Sequence, residues 1–200
     1  SEWGPVANQI KAAGIPVTPL NAKSPRDLWV ILRLQKLIEE LRIDTVFSFL
    51  IHANAVAATA SILCPGIRFI QSIQTTQPNP RWHWFVQRLA QHAAESIVVP
   101  SQSVATVAEQ WSGIPAEKIR VIPNAVDVNA FCPARQRGIA LTESPVPIGF
   151  IGRLDPIKRI PDLLKAMRML DGSVHLHIFV EGPERARIEQ FIDEWQLRSV

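Results

Sequence analysis

Residues 45–73 read TVFSFLIHANAVAATASILCPGIRFIQSI, and this stretch decides the fold class. It opens with an almost wholly apolar run over 45–51, the pattern of a strand that is covered on both faces. An alanine-rich segment over 53–63 is typical of a helix, and a proline and a glycine end it. A second β-rich run follows at 67–73. Strand, helix and strand in this order predict a βαβ unit with parallel strands.

The same stretch is also long enough for a membrane span, because no residue from Thr45 to Ile67 is charged. His52 and Asn54 interrupt it, however, and its apolar residues fall into two groups rather than one run. A strand, turn and helix of a soluble protein is therefore the favoured interpretation. Residues 1–5 have neither the basic start nor the apolar run of a secretory signal, so we expect a cytoplasmic protein.

Strands and helices continue to alternate in the rest of the sequence. Apolar residues at helical spacing over 28–41 predict a helix before the first strand. Beyond residue 73 the predicted helices are 80–94, 101–111 and two that begin at 161 and 183, and the predicted strands are 96–99, 118–122, 146–151 and 174–180. This alternation predicts an α/β protein with parallel sheets, whose ligands bind at the carboxyl ends of the strands.

A stretch without sustained periodicity, between Pro123 and Pro145, indicates a connection between two domains. We therefore predict a first domain over 1–144, which includes the connection, and a second over 145–200. The composition fits folded domains, because 47% of the residues are hydrophobic. A net charge of only +3 is too weak to indicate nucleic-acid binding.

Neither the cysteines nor the histidines predict a metal site. Cys64 and Cys132 lie far apart and form no metal or redox spacing. His175 and His177 share one face of a predicted strand, but no further ligand lies near them in the sequence. A half-exposed strand face is the favoured interpretation of this pair.

The segment IGFIGRLDPIK at 148–158 combines a strand, a glycine turn and two cations. Gly152 allows backbone N–H groups to approach a ligand closely, and the helix that follows points its positive end toward the turn. Arg153 can bind phosphate oxygens in a fork, and Lys158 adds a mobile point charge. These residues suit a diphosphate. They fit an ordinary strand–turn–helix with two solvated cations equally well.

Four segments, in order and spacing, resemble signatures of retaining glycosyltransferases of the GT-B fold, the large family four. They are VPSQS at 99–103, which looks like the family's "VVPSQ" strand end, VIPNAVD at 121–127 followed by Phe131 and Pro133, GRL…K at 152–158, and EGPE at 181–184. The strand that follows Asp44 also looks like the "DVV" strand of the family's first domain. The resemblance runs from about Leu28 to the end of the chain.

The resemblance implies two Rossmann-like domains, both incomplete, with the second covering only its first βαβα portion. It implies a hexosyltransferase of glycan biosynthesis that uses a nucleotide-diphosphate sugar and retains the anomeric configuration. Carried over, Gly152, Arg153 and Lys158 hold the donor diphosphate, and Gly182 lines the donor side. Such enzymes usually need no metal or other cofactor, and we expect none. No residue is identified as the catalytic nucleophile.

The acceptor, a glycan or a lipid-linked molecule, is expected on the first domain. His52 and Asn54 follow a predicted strand end, where either acceptor contact or a role in the turn fits. Gln74 stands where family members often carry a histidine, and it is the third acceptor-side candidate. The family's paired glutamates do not occur before Val200, so we expect about half of such an enzyme.

Two alternatives remain open. Gln74, Val180 in place of a family glycine, and the missing glutamates favour a non-catalytic module that binds a nucleotide or a sugar. The segment RWHWFVQR at 81–88 mixes cations with aromatic residues. We favour burial of these aromatic residues in the domain over peripheral contact with the inner face of the membrane or with a lipid-linked acceptor.

Overall fold

The computed structural model describes residues 4–24, 27–131, 145–170, 172–179, 181–197 and 200. The chain divides into two compact units, Ser1–Val126 and Asp127–Val200. The end of the predicted first domain, at residue 144, lies outside the described residues, so this boundary stays a prediction. Pro133 and Val180, which belong to the motifs above, also lie outside the described residues.

The first unit contains five helices and four strands among its described residues. They are α1 (Pro5–Ala12), α2 (Trp29–Leu41), β1 (Thr45–Ser48), α3 (Ile51–Leu63), β2 (Arg68–Ser72), α4 (Trp82–Ala90), β3 (Ser96–Val99), α5 (Gln102–Ser112) and β4 (Ile119–Val121), with a 3-10 turn at Ala116–Lys118. In the described part of the chain, no helix has the length and apolar character needed to cross a membrane.

The four strands form one parallel sheet in the order β1-β2-β3-β4, as the alternating pattern predicts. Val46 lies opposite Phe69 in the register, and Ile97 lies opposite Ile119. Helix α4 packs between α3 and α5. The core is formed by buried strand residues, among them Phe69 and Ile97, together with Trp84 of α4. Parallel strands with connecting helices bring the carboxyl ends of all four strands to one edge.

Two of the predicted boundaries in this unit are wrong. The strand expected over 45–51 ends at Ser48, because Leu50 adopts a left-handed conformation (φ 73°) and α3 begins directly after it. The N–H of Asn54 donates to the Leu50 carbonyl at 2.9 Å, which places His52 in the first turn of the helix. The helix expected over 80–94 is shorter, Trp82–Ala90.

The predicted start and end of α5 are confirmed, whereas the expected burial of the α4 aromatic residues is confirmed only in part. The Ser101 hydroxyl caps α5 by accepting the N–H of Val104 at 3.3 Å, and Gly113 ends that helix at φ 61°. The expected burial of the α4 aromatic residues holds for Trp84 and is wrong for Trp82 and Phe85, which are exposed.

The second unit has the predicted βαβα order. Its elements are β5 (Val146–Ile151), α6 (Ile160–Met169), β6 (Val174–Phe179) and α7 (Arg185–Glu194), with a 3-10 turn at Pro156–Lys158. The two strands are parallel, with Ile148 opposite Leu176. Leu176 of β6, Leu164 of α6 and Ile188 of α7 are buried together. One end of β5 therefore leads into the glycine turn, and the same end of β6 leads toward Gly182.

Candidate functional site

The loops that follow β5 and β6 are joined through their backbones. The N–H of Leu154 donates to the Glu181 carbonyl at 3.2 Å, and the Leu154 carbonyl accepts from the N–H of Glu184 at 3.1 Å. Gly182 lies between these two bonds, and a Cβ at this position would overlap the Leu154 backbone. Only glycine allows this close approach. The structure thus gives Gly182 a steric role within the loop pair, and its contact with a donor stays a prediction.

The loop after β5 carries a tethered arginine. Nη2 of Arg153 lies 2.7 Å from Oδ2 of Asp155. The other oxygen of this carboxylate accepts the N–H of Ile157 at 3.2 Å, and the Asp155 carbonyl accepts the N–H of Lys158 at 2.8 Å. Asp155 therefore links the guanidinium of Arg153 to the turn that carries Lys158.

These contacts stabilise the ionised form of Asp155. The hydrogen bond from the Ile157 N–H, followed by the one from Arg153, lowers the pKa of this carboxyl, and the positive charge of Lys158 adds to the effect. The carboxylate is therefore ionised at neutral pH. The Arg153 side chain is mostly exposed, so one side of its guanidinium stays open to solvent.

Helix α6 begins one residue after the 3-10 turn. Arg159 precedes it in the left-handed region (φ 52°) and pairs with Asp162 at 2.6 Å. Lys165 also contacts Asp162, at 3.3 Å, and its hydrogen bond is the largest cause that lowers the pKa of that carboxyl. The first turn of α6 thus holds its own negative charge, which offsets part of the positive end of the helix. A Cβ on Gly152 would make only ordinary contact with Phe150, at 3.4 Å.

The first unit has a cavity of about 310 Å³ where β1 and β2 end. His52, from the first turn of α3, and Gln74, two residues past β2, both line it, together with Thr75 and His83. The Gln74 amide donates to the Ser72 hydroxyl at 2.6 Å. Two of the three acceptor-side candidates therefore share one cavity at the predicted edge of the sheet.

Asn54 lies beneath this cavity and is fully buried. Its Oδ1 accepts from the Ser48 hydroxyl at 2.6 Å, and its Nδ2 donates to the Ser72 carbonyl at 2.8 Å and to Oε1 of Gln87 at 2.9 Å. The amide of Gln71 donates to the same Gln87 oxygen. An acceptor cannot reach the Asn54 amide without breaking these bonds. Asn54 therefore holds β1, β2 and α4 together.

Trp82 and His83 also lie at the cavity, although the sequence did not predict them there. The ring centroid of Trp82 lies 5.9 Å from that of His52 and 4.2 Å from that of His83. The segment RWHWF could have indicated that Trp82 is exposed, because the helical period places Trp84 and Trp82 on different faces.

His175 and His177 of the second unit are adjacent, with ring centroids 4.6 Å apart. Among the described residues no cluster of three or more potential metal ligands occurs.

The sequence matches the family model described as Glycosyltransferase Family 4 over residues 3–130. The chain belongs to glycosyltransferase family 4. No curated protein gives a significant sequence match. The family match covers the four strands of the first unit, and Arg153, Lys158 and Gly182 lie outside it.

Several solved structures share the fold of this family 4 chain. Anabaena Alr3699/HepE in complex with UDP and glucose matches with a TM-score of 0.78 and 19% identity over 98% of the chain. A glycosyltransferase from Rickettsia africae matches with a TM-score of 0.68 and 17% identity over 98%. S. aureus TarM, in complex with Fondaparinux, alpha-GlcNAc-glycerol and UDP, matches with a TM-score of 0.60 and 15% identity over 86%.

The matched part is 57% of the Anabaena protein, 56% of the Rickettsia protein and 35% of TarM. The chain thus spans little more than half the length of the first two. The predicted α/β class with parallel sheets of the GT-B type is confirmed. At these identities the likeness shows the fold alone. The roles of the candidate site residues stay predictions.

Proposed function

We propose that this family 4 chain takes part in the transfer of a hexose from a nucleotide-diphosphate sugar to a glycan or lipid-linked acceptor, with retention of the anomeric configuration. The family match over residues 3–130 is the observation that carries this proposal. The presence of UDP with the Anabaena protein and with TarM supports a nucleotide-sugar donor.

The proposed reaction exchanges one bond at the anomeric carbon for another. The bond from that carbon to the diphosphate oxygen breaks, and a bond to an acceptor hydroxyl oxygen forms on the same face of the sugar. The hydroxyl proton passes to the departing phosphate oxygen, and the nucleoside diphosphate is released. Negative charge develops on the diphosphate as the first bond breaks, so fixed cations near it lower the barrier.

Arg153 and Lys158 are the proposed cations. Both lie on the loop at the carboxyl end of β5, and Asp155 links them through one carboxylate and one carbonyl. The exposed side of the Arg153 guanidinium suits a two-pronged contact with phosphate oxygens. Gly182, through its bonded neighbours, fixes the position of this loop against the one that follows β6.

His52 and Gln74 are the proposed acceptor contacts. Both line the 310 Å³ cavity, in which the Thr75 hydroxyl and the His83 ring add further hydrogen-bonding groups. A cavity with several hydrogen-bond donors and acceptors suits the hydroxyl groups of a glycan. Asn54 is left out of this proposal, because its amide is fully used inside the unit.

The decisive test is transfer by the native protein isolated from its own cells. UDP-, GDP- and ADP-hexoses labelled in the sugar are offered with the membrane and glycan fractions of those cells. We expect label in one fraction, and proton NMR of the product shows whether the configuration is retained. The variant Arg153→Ala/Lys158→Ala is expected to lower the rate by about 100-fold or more, since it removes charge stabilisation of the leaving group.

The matched control is Lys36→Ala/Arg168→Ala, which removes one lysine and one arginine from two exposed helix faces. Its rate should stay near that of the native protein. A double variant at Arg153 and Lys158 within a few-fold of the native rate would refute their assigned role. Nucleotide binding without any transfer would instead favour the non-catalytic module. The presence of Gln74, where family members often carry a histidine, also favours that module.

A further inference from the structure

Helix α4 presents an exposed face that its own unit does not cover. Trp82 is 49% exposed, Phe85 60% and Leu89 55%. Arg81 and Arg88 are exposed on the same side, since these five residues follow the helical spacing i, i+1, i+4, i+7 and i+8. The opposite side of the helix carries the buried Trp84, Gln87 and Ala90. Exposed aromatic residues grouped in this way mark an interaction surface.

The flanking helices extend this surface on both sides. Trp111 of α5 joins Arg81, Phe85 and Arg88 around a cavity of about 410 Å³. On the other side, Ile62 of α3, which is 72% exposed, lines a groove of about 440 Å³ together with Leu89. We call the five α4 residues, with Ile62 and Trp111, the α4 face.

The α4 face is positively charged without compensation nearby. No Asp or Glu occurs between Asp44 and Glu95, so α3 and α4 contain no carboxylate. Within the described ranges, neither Arg81 nor Arg88 forms an ion pair, whereas Arg153 and Arg185 of the second unit do. Helix α5 carries a single acidic residue, Glu109. Two unpaired guanidinium groups therefore flank exposed aromatic rings.

We propose that the α4 face docks on the surface of an anionic lipid bilayer. Guanidinium groups pair with lipid phosphates, while tryptophan and phenylalanine rings enter the boundary between headgroups and acyl chains. A second copy of this chain is the less suitable occupant. Two α4 faces in contact would place four guanidinium groups in an apolar interface without a carboxylate, which is electrostatically unfavourable. The proposal does not depend on the proposed transferase activity.

The test is flotation of the 200-residue chain with vesicles of phosphatidylcholine containing about one third phosphatidylserine. We expect binding at low salt that weakens as salt rises, because the attraction is screened. Arg81→Gln/Arg88→Gln should weaken binding by about 30-fold, since each basic residue near an anionic surface contributes about fivefold. Trp82→Ala/Phe85→Ala should also weaken vesicle binding. Low salt should not restore this binding, because the substitutions remove apolar contacts and no charge.

Lys36→Gln/Lys165→Gln is the control for lost charge and should bind as the parent chain does. All substituted side chains are exposed, and circular dichroism verifies that each variant is folded. Absence of binding to the anionic vesicles at low salt overturns the proposal, as does equal binding to pure phosphatidylcholine. A dimer that the α4 substitutions dissociate, seen by light scattering, would assign the face to a second copy instead.

Discussion

Single residues in this chain are constrained by what they touch inside the molecule. Gly182 cannot carry a side chain, because a Cβ would overlap the backbone of Leu154. Asn54 satisfies hydrogen bonds from two strands and a helix with one amide group. Both were expected near ligands, and the structure shows that each holds elements of its own unit together.

Gly182→Ala is expected to destabilise the second unit by about 1–3 kcal/mol, the usual cost of forcing extra volume into a packed site. Urea denaturation followed by circular dichroism measures the change. Gly149→Ala is the matched control, because a Cβ there meets nothing within 4 Å. A Gly182→Ala chain as stable as the Gly149→Ala chain would show that the loops separate easily.

Asn54→Leu keeps the volume of the side chain and removes its hydrogen bonds. The buried Ser72 carbonyl and Ser48 hydroxyl then lose their hydrogen bonds to the Asn54 amide, at a cost of about 1–3 kcal/mol. The comparison is His52→Ala, which changes an exposed side chain of the same cavity and should alter the free energy of unfolding by less than about 0.5 kcal/mol. Equal stability of the two variants would contradict the role assigned to Asn54.

At the scale of elements, the turn from β5 to α6 depends on the ionised form of Asp155. Its pKa is lowered in the folded chain, so its contribution to stability is present above its unfolded pKa and is lost as pH falls through the folded value. The turn therefore loosens in acid. Arg153 loses its partner in the same pH range.

Asp155→Asn should lower the stability of the chain at pH 7, and the difference from the parent should shrink as pH falls through the lowered pKa of the Asp155 carboxyl, where the parent side chain is protonated as well. Urea midpoints at pH 7, 5 and 3 measure this difference. Asp193→Asn, on the exposed side of α7, is the control for a lost carboxylate. A difference that stays constant with pH would mean that the ion pair does not support the turn.

The order and type of the elements from α2 onward could be predicted, because apolar periodicity records which side of each segment is buried, whereas α1 was not predicted. The end of β1 could not. Residues 45–51 continue as one apolar run, and only the left-handed conformation of Leu50 separates the strand from α3. The candidate site residues were likewise predictable only in part. The sequence predicts which loops carry Arg153 and Gln74, whereas the burial of Asn54 and the exposure of Trp82 depend on packing between α3, α4 and the sheet.

At the scale of the whole molecule, the alternation of strands and helices predicted both units. The family match covers the first unit, whose sheet and helices follow this pattern. In the second unit short motifs around the two strands added to the prediction, and the unit has the predicted βαβα order. The uncompensated positive charge belongs to the first unit, on α4.

The order β1-β2-β3-β4 of the four described strands also has a consequence for synthesis on the ribosome. Each of β2, β3 and β4 pairs with the strand made immediately before it, so none of these three waits for a later segment. Each of these strands can therefore dock soon after it leaves the exit tunnel, and the side of the sheet that grows exposes one unpaired strand edge at a time.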